Sequence, residues 1–106
     1  MNTQEIQETE TRIVTVLKSI FDPEIPVNIY DLGLIYEVRL DDEQVAHITM
    51  TLTAPGCPMA EELVEEVKYK VAGTRGVKEC DLNLTFTPPW DRSMLTDEAK
   101  LELGLL

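Results

Sequence analysis

VAHITMTLTAPGCPMAEELVEEV, residues 45–67, changes periodicity part-way through, and that change decides the architecture. Up to Thr53 the period is two. Ala46, Ile48, Met50 and Leu52 fall on one side and His47, Thr49, Thr51 and Thr53 on the other, which predicts a strand with one buried face. After APGCP the period becomes helical: Met59, Ala60, Leu63, Val64, Val67 and Val71 recur on one stripe, with Glu61, Glu62, Glu65, Glu66 and Lys68 opposite. A strand therefore feeds a helix of about residues 58–73 through a bend holding Gly56, Cys57 and Pro58.

Upstream, Leu34, Tyr36, Val38 and Leu40 alternate with Ile35, Glu37 and Arg39, and Asp41-Asp42 supplies turn chemistry. The two strands should form a hairpin. Before them, Ile6, Ile13, Leu17, Ile20 and Phe21 mark an amphipathic helix over about residues 3–21, stopped by Asp22-Pro23 because a proline disfavours helix at the residue before it. Downstream, Gly73 and Gly76 bracket the end of the second helix. Cys80, Leu82, Leu84 and Phe86 then share one face of a third strand, with Asp81, Asn83 and Thr85 on the other. A short last helix follows the Pro88-Pro89 pair, with Thr96 as N-cap and Gly104 as stop.

Three strands with one apolar face and two helices with one apolar stripe each bury their surfaces as an α/β (α+β) two-layer sandwich. Its core is helix-strand-strand-helix-strand, with a small three-stranded sheet and a short C-terminal helix. The helices are expected on one side, leaving His47, Thr49, Thr51, Asn83 and Thr85 on an open, solvated face. A chain of 106 residues is near the size of one domain, so residues 1–106 are read as a single unit.

Composition narrows the function. The hydrophobic fraction of 43% and charged fraction of 27% are those of an ordinary globular protein. Twenty acidic against nine basic residues give a formal charge of −11, which repels nucleic acid and anionic lipid. With a polar, acidic start (MNTQEIQETETR) and no long apolar run, the expectation is a cytoplasmic protein with neither nucleic-acid nor membrane partners. Its two cysteines are then reduced thiols, and one histidine without a CxxC or HExxH motif leaves no self-contained zinc or haem site.

Cys57 is open to two readings. At the entrance of the second helix, unpaired N–H groups and the helix dipole would stabilise a thiolate, and Pro58 suits the first helical position. Against that, free cysteines are often buried as small apolar residues, and Glu61 and Glu62 offset the dipole. Cys80 is read as core. Asp22, Glu24 and Asp31 lie in the proline-bounded connector, where carboxylates cap turns or ligate hard metals. His47 is read as a solvated side chain, too far along its strand to activate Cys57 as a base, so a Cys-His hydrolase is disfavoured.

Three blocks, FDPEIPVNIYDLGLIY, TLTAPGCPMAEELVEEV and TPPWDRSMLTDEAKLELG, resemble in order and spacing the iron-sulfur cluster assembly factors once labelled domain of unknown function 59. The resemblance covers about residues 10–104. It implies the fold reached above and a non-enzymatic role in maturing iron-sulfur proteins beside the SUF machinery, with scaffold or carrier proteins and apo-protein clients as partners. The matching positions imply a functional patch of Asp22, Glu24, Asp31, Thr53, Cys57 and Pro58. Trp90 lies in the third block without an assigned role. The PaaD branch carries additional C-terminal cysteines that this sequence lacks, which favours a SufT-like member.

Cluster chemistry limits that role. A conventional cluster takes four protein ligands, mostly thiolates, and this chain has two cysteines in different settings. If Cys57 is a metal ligand, the others come from a weak homodimer, a partner scaffold or a small thiol, and the cluster is transient and shared. The alternative is an interaction adaptor in the same pathway that binds no metal; an uncharacterised thiol enzyme is a third reading.

Overall fold

The computed structural model describes residues 2–22, 25–53 and 60–105. Its elements run α1 (Thr3–Leu17), β1 (Ile35–Leu40), β2 (Val45–Met50), α2 (Ala60–Ala72), β3 (Glu79–Leu84), a 3-10 turn (Arg92–Met94) and α3 (Asp97–Glu102). The sheet order is β1-β2-β3. The α+β class, the expected element order and the three-stranded sheet are all present.

Asn2 caps α1 by accepting the Glu5 N–H at 2.8 Å, and Ile13 and Leu17 carry its buried stripe. The helix ends four residues before the expected Phe21. The Ile20 carbonyl accepts the Ile29 N–H at 2.8 Å, and Phe21 bridges Asn28, so the connector folds back and takes those backbone groups from the helix.

β1 and β2 form the expected antiparallel hairpin. Asp41 organises its turn: Oδ1 accepts the N–H groups of Glu43 and Val45, and Gln44 takes a φ of 67°. β2 and β3 are parallel, with Ala46 opposite Cys80 and Met50 opposite Leu84, so β2, α2 and β3 make one crossover unit. Both helices contribute to a core centred on Ile13, Leu17, Ile29, Leu34, Ile48, Met50, Val67 and Val71. Burying side chains of this size contributes roughly 1.5–3 kcal/mol each before entropy is counted.

Three expectations are corrected. Leu84 and Phe86 are exposed rather than core: Leu84 is the last residue of edge strand β3 and Phe86 lies two residues beyond it. Cys80 and Leu82 are half-buried against the core. Thr51, placed by alternation on the open face, is fully buried. It lies beyond the last residue of β2, where its N–H donates to the Leu34 carbonyl at 2.8 Å, a position governed by the connector and not by the sheet's solvent face.

Candidate functional site

The connector between α1 and β1 satisfies part of its backbone locally, as in Leu32 N–H to the Asn28 carbonyl and Leu34 N–H to the Ile29 carbonyl, and the rest from distant segments. The segment Asp31–Leu34 receives three such bonds. The Asp31 carbonyl accepts the Thr96 N–H at 2.9 Å, the Leu32 carbonyl accepts the Trp90 indole N–H at 2.7 Å, and the Leu34 carbonyl accepts the Thr51 N–H at 2.8 Å. The three sequence blocks thus meet on one short stretch of backbone. Gly33 permits it: its φ is +87°, and a Cβ there would collide with the backbone of Met94.

The acids of the connector have identifiable work. Asp22 is nearly buried and accepts the Ile25 N–H at 3.1 Å, while its own N–H donates to the Val27 carbonyl. Asp31 and Asn28 form a reciprocal pair: the Asn28 side-chain amide donates to Asp31 Oδ2 at 2.8 Å, and the Asp31 N–H donates to Asn28 Oδ1 at 2.9 Å. These carboxylates shape the turn. Thr53 is half-buried where the chain leaves the sheet. Glu24, Cys57 and Pro58 lie outside the described residues, as does the expected start of α2 at residue 58.

Thr51 Oγ1 is a buried polar atom without a hydrogen-bond partner among the described residues. Such atoms are uncommon in folded proteins. No pattern in the sequence marks it, because strand alternation assigns the residue to water.

The two ends of the sheet differ. At the hairpin end, His47 is not simply solvated. Its Nε2 lies 2.8 Å from Asp41 Oδ2 and its Nδ1 lies 3.2 Å from Asp81 Oδ2, because parallel pairing sets Asp81 beside His47. The hydrogen bond from His47 is the main reason the Asp41 carboxyl titrates below its usual range. At the opposite end the chain leaves β2 toward Thr53, and the parallel strand β3 ends at the exposed Leu84, two residues before the exposed Phe86. Loops at the carboxyl ends of parallel strands are where open α/β sheets commonly present ligand-binding groups.

Cys80 is a poor nucleophile: burial first, then the adjacent Asp81 charge, push its thiol up to about 11. Among the described residues there is no group of three or more His, Cys, Asp or Glu side chains placed to hold a metal ion. No described helix is long and apolar enough to cross a membrane.

Comparison with known proteins fits this geometry. Residues 10–82 match the family model described as iron-sulfur cluster assembly protein. The chain is 50% identical to an Fe-S protein maturation auxiliary factor of Porphyromonas gingivalis, over 96% of this chain and 97% of that one. It is 38% identical to the Fe-S protein maturation auxiliary factor SufT of Staphylococcus aureus, over 81% of this chain and 98% of that one. A crystal structure of a domain of unknown function 59 from Bacillus anthracis superposes with a TM-score of 0.89 at 36% identity, covering 99% of this chain and 100% of that one.

Proposed function

The chain belongs to the iron-sulfur cluster assembly protein family, and from that premise we propose that Cys57 serves it as a transient thiolate ligand during cluster delivery. The broader role is that of a SufT-like maturation factor for iron-sulfur proteins. The finer reading concerns how delivery occurs. The crossover from β2 to α2 supports it, since that connection leaves from the carboxyl end of the parallel pair β2–β3.

In this reading the cluster is cargo. The Cys57 thiol gives its proton to the departing donor thiolate as an iron–Cys57 bond replaces the iron–donor bond, and the exchange is reversed at the apo-protein client with no change of oxidation state. Cys80, half-buried against the core with its thiol pKa raised, has no part in this reading. The remaining ligands come from a scaffold, a second copy or a small thiol. The role is non-enzymatic.

Anaerobic reconstitution with iron and sulfide, read by absorption and Mössbauer spectra and followed by maturation of an apo-client, tests the assignment. Cys57→Ser should lose both cluster association and transfer. Equal behaviour of wild type and variant in both assays would remove Cys57 from the mechanism.

A second reading, an adaptor that binds no metal, draws on the exposed Leu84 and Phe86 at the same end of the sheet. It expects Leu84→Asp or Phe86→Asp to abolish client binding while Cys57→Ser leaves it intact.

A further inference from the structure

β1 is an edge strand, and antiparallel geometry determines which of its backbone groups are unpaired. The Asp41 N–H donates to the Val45 carbonyl, so Asp41, Arg39 and Glu37 turn their hydrogen-bonding groups toward β2, while Val38 and Leu40 turn theirs to the free edge. The Leu40 N–H is already taken by Glu10 Oε2 at 3.0 Å, which closes one end of that edge. Among the described residues nothing pairs with the outward groups of Val38, which leaves them open to an incoming strand.

That edge borders a groove of about 520 Å³ between α1 and β1. Val14, Ile35 and Val38 supply half-buried apolar surface, and Tyr30 and Tyr36 add aromatic surface. Among the described residues Glu10 and Glu37 are its charged lining, with no lysine or arginine. Glu37 is partly balanced by Arg39 at 3.4 Å, in an exposed pair that contributes little. Lys18 already sits 5.4 Å from the centroid of the Tyr30 ring, so that ring has a face suited to a cation.

We propose that this groove receives an extended, lysine- or arginine-bearing segment of a partner protein, which adds a strand to the free edge of β1. Main-chain bonds to Val38 set its register, its apolar side chains face Val14 and Ile35 on the helix side, and the basic residues that alternate with them meet Glu37 on the other. The site is on a different element from Cys57 and stands independently of the cluster-delivery reading.

The test uses the full chain labelled with nitrogen-15 and a blocked heptapeptide alternating valine and lysine, with amide shifts followed by NMR. Saturable shifts should centre on Ile35–Leu40, with a Kd of about 1 mM or tighter. The same peptide with glutamate for lysine should give no saturable shift. N-methylation of its central valine should weaken binding about two- to tenfold by removing one main-chain hydrogen bond. Glu37→Lys should weaken it by about threefold or more. Absence of saturation, equal binding of the N-methylated peptide, or shifts centred on the acidic face of α2 at Glu61, Glu62 and Glu65 would each overturn the proposal.

Discussion

The indole N–H of Trp90 donates to the backbone carbonyl of Leu32 at 2.7 Å, pinning the segment after β3 onto the connector before β1. Trp90→Phe keeps most of the ring's packing and leaves that carbonyl short of a donor. The expected loss is about 1–2 kcal/mol in urea unfolding, with an unchanged m-value. A loss below a few tenths would mean that water replaces the indole.

Gly33→Ala should be more damaging than its size suggests. The positive φ at Gly33 costs an alanine roughly 1–2 kcal/mol, and the added methyl must displace Met94. We expect a lowered thermal midpoint together with a red shift of Trp90 emission as the tail lifts away. A variant with wild-type emission and midpoint would refute the close approach.

Thr51→Val separates folding from function. Replacing a buried hydroxyl that has no partner among the described residues with a methyl of similar shape should leave stability unchanged or raise it by about 1 kcal/mol. A loss greater than that, measured by urea denaturation, would show that the hydroxyl is hydrogen-bonded in solution. If client maturation falls while stability rises, the hydroxyl serves the site and not the fold.

The two thiols should react differently. With a pKa of about 11, Cys80 is thiolate to about one part in a thousand at pH 8, and it is also half-buried. Limited iodoacetamide treatment of the folded chain followed by peptide mass spectrometry should therefore find the label on Cys57. Labelling of Cys80 at a comparable rate would contradict its placement.

Acid should weaken the hairpin end through Asp41. Its folded pKa is lowered, chiefly by the hydrogen bond with His47, so in the acid range the unfolded chain binds the extra proton. The resulting stability is present above the unfolded carboxylate value of about 3.9 and is lost as pH falls through the lower folded value. Asp41→Asn should flatten that part of the curve of urea midpoint against pH. An unchanged slope would assign the acid sensitivity to other carboxylates.

Much of the fold was legible because local and tertiary signals agree. Period-two burial of Ala46, Ile48 and Met50 is as read, and Thr96 caps α3 by accepting the Ala99 N–H at 3.1 Å. The failures occur where distant residues decide. Nothing near Ile20 announces that its carbonyl will accept from Ile29, so α1 is read too long. Alternation cannot foresee that the connector governs Thr51, or that an edge strand leaves Leu84 and Phe86 uncovered. Nor does periodicity set strand order, and it is the parallel pairing of β2 with β3 that brings Asp81 to His47.

Of the candidate patch, Asp22 and Asp31 were visible as connector acids, but their hydrogen bonds make them turn-forming groups, a role that block position alone does not distinguish from ligand binding. Trp90 was visible only as a motif residue. Its partner Leu32 is an ordinary carbonyl, and no residue type encodes which carbonyl a distant indole will reach.

The pairing of β2 with β3 also bears on the order of assembly. The β1–β2 hairpin closes over a short turn and can form within microseconds, whereas Ala46 finds Cys80 only after the chain has passed through all of α2. Trp90 lies beyond β3 and docks on a connector that precedes both strands. In a stopped-flow refolding experiment, the emission of this single tryptophan therefore times the closing of the last seam.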